Sequence, residues 1–288
     1  MNFSMGLIFQ IKNSMNYNLT KIISIIKNLI FVPKCVSCGE RLSPIPEKGN
    51  MTYNKICFCK KCGDKWEEAR TEICPDCRNL SEYCRCVPSF FLERQPNVPA
   101  VCFYHPEEND VQSKTVLSMK HYNNGELFDF VAVEIYPKIA KTLTKMGISG
   151  EDCIFTWTPR KTSSVSKYGF DQGKELSVKV AALFGSRAYP IFLRFGGKEQ
   201  KKLSKDDRTV NAQHSIVANH AMIGFPANYK ESELCEFICG KNIVIIDDVL
   251  TSGATLKQAV ELMEEAGAER VIVACVSKSS RRQKEQKS

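Results

Sequence analysis

The chain has 288 residues, 43% of them apolar and 25% charged, with a formal net charge of +8 and a pI near 8.8. That length suits one medium domain plus a smaller one, and the apolar share excludes a chain too poor in hydrophobic residues to build a core. The basic balance favours anionic ligands, phosphates or nucleic acid.

Residues 1–34 read as an extension with one amphipathic helix around Ile22–Val32. Lys12, Asn13, Asn16, Asn18, Lys21 and Lys27 interrupt its apolar content, which argues against a secretory leader. The apolar run is too short and too broken to span a bilayer. Met15 is an alternative start. The expected location is the cytoplasm.

Fourteen cysteines are present, and nine of them fall between Cys35 and Cys86. In a reducing compartment, clustered C-x-x-C pairs read as metal sites rather than disulfides. Residues 35–87 are therefore a cysteine-rich module for Zn²⁺. Cys35, Cys38, Cys59 and Cys62 form one tetrathiolate set, and Cys62 opens a helix, as in a treble-clef site. Cys74, Cys77, Cys84 and Cys86 form the second. Four thiolates close a tetrahedron around Zn²⁺ and leave no open position for chemistry. An interleaved pairing, Cys57 in place of Cys59, and an iron–sulfur cluster are the competing assignments. The bland reading is ordinary reduced cysteines.

Pro88–Pro99 carries three prolines and reads as a connector. A strand is expected over Ala100–Tyr104, followed by helices over Val111–His121 and Glu126–Lys145. Cys153–Thr158 is a short buried strand. Pro159–Gln172 is a loop rich in basic and hydroxyl side chains, which suits a diphosphate, although a solvated loop has the same composition. Phe170–Phe184 is helical in pattern. Arg194–Asn211 is basic, polar and without apolar period, and reads as a mobile loop.

Ile243–Asp247, Thr255–Ala266 and Arg270–Val276 make a β-α-β unit with Gly267 as the helix C-cap. The tail from Lys278 to Ser288 is expected to fray. Within the unit, Ile243–Thr255 reads I-V-I-I-D-D-V-L-T-S-G-A-T. Four branched apolar residues form a strand buried on both faces. Asp247 and Asp248 stand at its C-terminal end, where ligands of open α/β sheets bind. The turn Thr251, Ser252, Gly253, Ala254, Thr255 offers hydroxyls and N–H groups to one anion. Acids for ribose hydroxyls beside a cradle for phosphate suit a sugar phosphate.

This stretch resembles the PRPP-binding motif of type I phosphoribosyltransferases, D-D-x-x-T-x-G-x-T after a hydrophobic run. The order of features narrows the resemblance. Paired cysteines come first, then a strand and a helix with Lys120. Pro159, Arg160 and Lys161 lead to Gly169, Phe170 and Gln172. A basic loop with Lys198, Gln200, Leu203, Arg208 and Asn211 follows, and then the acid motif. This order resembles the ComF family from Cys35 to Val276. Tyr168 stands where that family often has Arg, Asp171 where it often has Asn, and Cys84–Cys86 is C-x-C rather than C-x-x-C.

The resemblance implies an α/β fold with a type I phosphoribosyltransferase-like parallel sheet, helices on both faces, over residues 100–278. A small N-terminal zinc module precedes it, and residues 279–288 form a flexible tail. It implies PRPP as ligand with Mg²⁺, Asp247 and Asp248 on the ribose, and Thr251–Thr255 on the 5′-phosphate. Pro159, Arg160, Lys161, Gly169 and Gln172 would take the diphosphate, and the Lys198–Asn211 loop would close over the site. It further implies a cytoplasmic role in DNA uptake during competence, beside an ATP-driven helicase-like partner. The alternative is a non-catalytic module for single-stranded DNA or a nucleotide phosphate, with Lys60, Lys61, Arg78 and Arg85 tracking a backbone. A third reading makes the zinc module a docking surface for a protein.

Overall fold

A computed structural model describes residues 32–42, 57–105, 108–194, 216–229 and 233–279. The helix expected over residues 22–31, the loop containing Lys198, Gln200, Arg208 and Asn211, and the tail beyond Ser279 lie outside the described residues. The chain divides into two compact units, residues 1–64 and 65–288. In the first, Cys35–Cys38 forms a tight turn, with the Gly39 N–H bonded to the Cys35 carbonyl and the Val36 N–H to that of Cys57. Helix α1, Lys60–Arg70, begins in this unit.

The second unit is built on four parallel strands in the order β1-β6-β5-β2. These are β1 (Ala100–Tyr104), β2 (Cys153–Trp157), β5 (Asn242–Leu250) and β6 (Arg270–Ser279). Two-residue strands β3 (Phe192–Leu193) and β4 (Val217–Ala218) pair antiparallel beside it. The helices are α2 (Ser89–Leu92), α3 (Val111–His121), α4 (Gly125–Lys145), α5 (Thr162–Tyr168), α6 (Gln172–Leu183), α7 (Leu234–Ile238) and α8 (Ala254–Glu265).

Ile243, Val244, Ile245 and Ile246 are all fully buried, so β5 is covered on both faces. Ile243 and Ile245 share a core with Leu256, Ala259, Val260 and Met263 of α8. Strand alternation turns Val244 and Ile246 to the opposite face, where α4 and α6 pack on the sheet. The expected strands and the helices over Val111–His121 and Glu126–Lys145 are therefore present nearly as read. α3 starts where the Asp110 carboxylate accepts the Ser113 N–H at 2.8 Å, and α4 where Asn124 accepts those of Glu126 and Leu127.

Four expectations change. β5 runs on to Leu250 because β6 keeps pairing with it, Asp247 opposite Cys275 and Leu250 opposite Lys278; the acids thus lie inside the strand. β6 runs to Ser279, so Lys278 is a buried strand residue rather than the start of a frayed tail. Part of the stretch expected as a loop, Thr162–Tyr168, is a helix with no buried residue. The segment Pro88–Pro99 is packed rather than a loose connector: Phe91 and Val98 are buried, and both ends of the Gln95 amide bond β6. Its Nε2 donates to the Val273 carbonyl at 2.9 Å and its Oε1 accepts the Val273 N–H at 2.7 Å.

Candidate functional site

β2 ends at Trp157, opposite Ile246. Asp247 and Asp248 therefore pass beyond the edge of one neighbouring strand while the other still holds them. The Asp248 N–H donates to Asp247 Oδ1 at 2.9 Å. Asp248 Oδ2 lies 3.3 Å from Lys120 Nζ at the end of α3 and accepts from Gln172 Nε2 at 3.1 Å at the start of α6. Three elements thus converge on one carboxylate. Burial and the adjacent Asp248 charge push the Asp247 carboxyl up to about 7, against the Thr158 hydroxyl, the Asp248 N–H and Lys120, which favour the ionised form. A cation arriving beside Asp247 at neutral pH would draw it into the ionised state.

The turn after β5 brings Thr251 and Ser252 to the surface and buries Gly253. Gly253 has φ +76°, and a Cβ there would meet the Phe91 ring at 2.7 Å and Leu250 Cδ1 at 3.2 Å. Gly253 is also the N-cap of α8 and supplies no side-chain acceptor. Of the first N–H groups of this twelve-residue helix, that of Ala254 donates to Ser252 Oγ at 3.5 Å, and that of Thr255 has no intrahelical partner. They are suited to an anion.

The stretch from Pro159 to Gln172 is organised by Asp171. Its Oδ1 caps α6 through the Gly173 N–H at 2.9 Å. Its Oδ2 accepts the Arg160 N–H at 2.9 Å and Trp157 Nε1–H at 3.3 Å. A Cβ at Gly173 would lie 3.0 Å from Trp157 Cδ1 and 3.2 Å from the Thr158 carbonyl, so a glycine lets α6 close onto the end of β2. The Arg160 guanidinium sits over the Tyr168 ring at 4.5 Å, and the His121 ring stacks on Tyr168 at 5.0 Å and 12°. Tyr168 therefore positions Arg160. Lys161 is the N-cap of α5 with its side chain exposed, Gly169 ends α5 at φ +80°, and the Pro159 carbonyl accepts from Arg194 Nη1. Arg160 Nη1 and Gln172 Oε1 are buried and find no hydrogen-bond partner among the described residues. Gln172 Oε1 stands beside the acid pair, and such buried, unpartnered atoms fit a polar, charged ligand with its own donors and acceptors.

The structure therefore brings Asp247, Asp248 and Gln172 into direct contact. Arg160 is tied to Gln172 through Asp171, the residue before it. The candidate residues Lys198, Gln200, Arg208 and Asn211 fall outside the described residues. Thr158, Asp171 and Tyr168 were missed as functional. Lys120 was noted as part of a motif only. A lysine in the last turn of α3 is ordinary helix chemistry, and only its distance to Asp248 marks it.

The cysteines resolve into the sequential sets. Cys35, Cys38, Cys59 and Cys62 place their Sγ atoms within 4.8 Å of one another, and so do Cys74, Cys77, Cys84 and Cys86. Cys57 is buried outside both sets. Cys38 and Cys59 Sγ are 3.6 Å apart, Cys74 and Cys86 Sγ 3.7 Å, close to the roughly 3.8 Å edge of a tetrahedron with ~2.3 Å Zn–S bonds. Burial works against the thiolate at Cys35, Cys59, Cys62, Cys77, Cys84 and Cys86. The backbone N–H groups of Cys38 and Cys59 nevertheless bring Cys35 down to about 7, and those of Asn79 and Arg85 bring Cys77 down to about 6. Burial pushes Cys59 and Cys84 up, and Cys86 up to about 11, so these ionise fully only with a cation among them. Both sets fit Zn²⁺.

Residues 198–288 match the family model of the phosphoribosyl transferase domain. That span holds both acids, the Thr251–Thr255 turn, α8 and β6. Among solved structures the chain is similar to the glutamine phosphoribosylpyrophosphate (PRPP) amidotransferase from B. subtilis, complexed with ADP and GMP. The identity is 14%, the TM-score 0.33, and the match covers 56% of this chain. The chain spans 30% of the length of that protein. No curated protein matches it. No helix among the described residues is long and apolar enough to cross a membrane.

Proposed function

We propose that residues 100–278 bind PRPP, or a closely related phosphoribosyl ligand, with Mg²⁺. One observation carries the reading: an acid pair, one member clamped by Lys120 and Gln172, stands just ahead of a helix N-terminus whose N-cap residue, Gly253, offers no side-chain acceptor. Asp247 and Asp248 take the ribose hydroxyls, and they are the residues that would hold Mg²⁺. The N–H groups and hydroxyls of Thr251, Ser252, Gly253, Ala254 and Thr255 take the 5′-phosphate. Arg160 and Lys161 take the diphosphate. Mg²⁺ supplies charge neutralisation of that diphosphate and keeps several waters of its own.

If the bound ligand reacts, the C1–O bond to diphosphate breaks and a nucleophile bonds C1. Among the described residues of the site no side chain stands apart as a dedicated base, which suits a reaction carried by positioning and electrostatics. Calorimetric titration with PRPP, with and without Mg²⁺, tests the proposal, with ribose 5-phosphate as the control that lacks the diphosphate. No heat with PRPP and Mg²⁺ overturns it.

The motif order extends the proposal to the ComF family, and so to a cytoplasmic part in DNA uptake during competence, beside a helicase-like ATPase. A second reading, a single-stranded-DNA module, is favoured by one feature. Lys161, Lys167, Lys174 and Tyr122 are all exposed, and Lys167 and Arg160 both lie over the Tyr168 ring. Single-stranded DNA affinity that falls steeply with salt, and that PRPP does not compete, would support it.

A further inference from the structure

Lys278 is the one buried lysine among the described residues, 1% exposed. A lysine in such a place needs strong partners for its ammonium group. Its Nζ donates to the carbonyls of Cys84 and Val98, both at 3.1 Å. Cys84 is a member of the second thiolate set, and Val98 leads into β1.

Lys278 is also the middle of a row across the sheet. On one side it is opposite Leu250 of β5, and on the other opposite Phe103 of β1. Phe103 packs on Cys74 and Cys84, with Cys77 and Cys86 against the same cluster. Leu250 is the residue before the Thr251–Thr255 turn and lies against Gly253. The row Phe103–Lys278–Leu250 thus runs from the cysteine set to the turn. Four thiolates around one divalent metal carry a net charge of −2, and a fixed cation bonded to a ligand's own backbone offsets it.

We propose that Lys278 ties the metal at Cys74, Cys77, Cys84 and Cys86 to the order of the Thr251–Thr255 turn, so that the second zinc site supports ligand binding at a distance. Lys278 is a positioning residue. It anchors the Cys84 carbonyl from within β6, and the same strand holds the end of β5 in register. Loss of the metal frees Cys84, removes the reason for an ammonium group at this depth, and loosens the last β5–β6 pairs. The effect on ligand affinity rests on the turn holding a phosphate, as proposed above; the effect on the order of the turn does not.

The test uses the full chain purified with its zinc. Zinc release to a chelating dye is followed in the wild type and in Lys278→Met, which keeps length and loses the donors. The expected result is one release phase accelerated about 10–100-fold and the other unchanged. Amide exchange is recorded along the same time course in the wild type. Segment 74–86 should lose protection in the phase that loosens residues 250–256, and segment 35–42 in the other. Exchange needs neither ligand nor variant, so it decides the matter even if Lys278→Met fails to fold. Release at the wild-type rate in Lys278→Met, or unchanged exchange at 250–256 after segment 74–86 is stripped, overturns the proposal. Loosening of the turn with no PRPP binding in any state supports the linkage and sinks only the phosphoribosyl reading.

Discussion

Asp247→Asn should make the ligand-free protein more stable at alkaline pH while removing its function. The Asp247 carboxyl is raised from 3.8 to about 7 in the folded state by burial and by Asp248. A raised pKa means the folded state holds its proton longer than the unfolded chain. The contribution is fully present below about pH 4 and is lost as pH climbs through about 7. A shift of roughly three units corresponds to about 4 kcal/mol at most. Water reaching the open side of the carboxyl reduces this to about 2 kcal/mol. Asparagine is neutral throughout, and its Oδ1 can still accept from the Thr158 hydroxyl and from the Asp248 N–H, now at 2.9 Å. The variant should therefore match the wild type near pH 3.5 and exceed it by about 2 kcal/mol at pH 8, some 4–8 °C in Tm. Urea denaturation at the two pH values measures the first quantity, and PRPP calorimetry at pH 8 the loss of binding. Equal stability at pH 8, or a gain of the same size at both pH values, would refute the reasoning.

Gly253→Ala should cost about 1–2 kcal/mol through its left-handed backbone alone, and more through the Phe91 ring; a denaturation midpoint no lower than wild type would contradict this. Phe91→Ala should cost about 3–5 kcal/mol and weaken PRPP binding, read by the same two assays. His105 is raised by its bond to Glu72, against burial. That pair stabilises below about pH 6.5, with the gain lost as pH rises through the folded value. His105→Gln should thus cost about 1 kcal/mol near pH 6 and less at pH 9. Elemental analysis of protein purified without chelator should find zinc at about two equivalents, and iron or no metal would contradict the cluster geometry.

The parts legible in the sequence are those where hydropathy decides. Ile243–Ile246 reads as a strand covered on both faces, and all four residues are fully buried. Hydropathy also set the errors. β6 was cut short at Val276 because Ser277 and Lys278 are polar, yet both are buried; a strand residue satisfied by distant carbonyls has no signature in its own neighbourhood. α5 was read as loop because its Ser, Thr and Lys residues carry no apolar stripe, and none of them is buried. The acid pair at the end of β5, the turn before α8 and the cysteine sets are legible because their spacing is itself the signal. Lys120 and Thr158 were not, since their roles come from chain segments that meet only in the fold.

The Gln95 amide has a consequence for how the sheet avoids other chains. β1 begins to pair with β6 only at Ala100 and Cys275, so the stretch of β6 before it has a bare flank toward that side. Gln95 meets it with one donor and one acceptor at Val273, as the backbone of a neighbouring strand would. A single side chain serves there as a one-residue imitation strand and closes a template for intermolecular pairing. Glutamate lacks the donor, leucine lacks both groups, and asparagine falls one methylene short. Replacement by any of them should show first as self-association on heating, before any change at the ligand site.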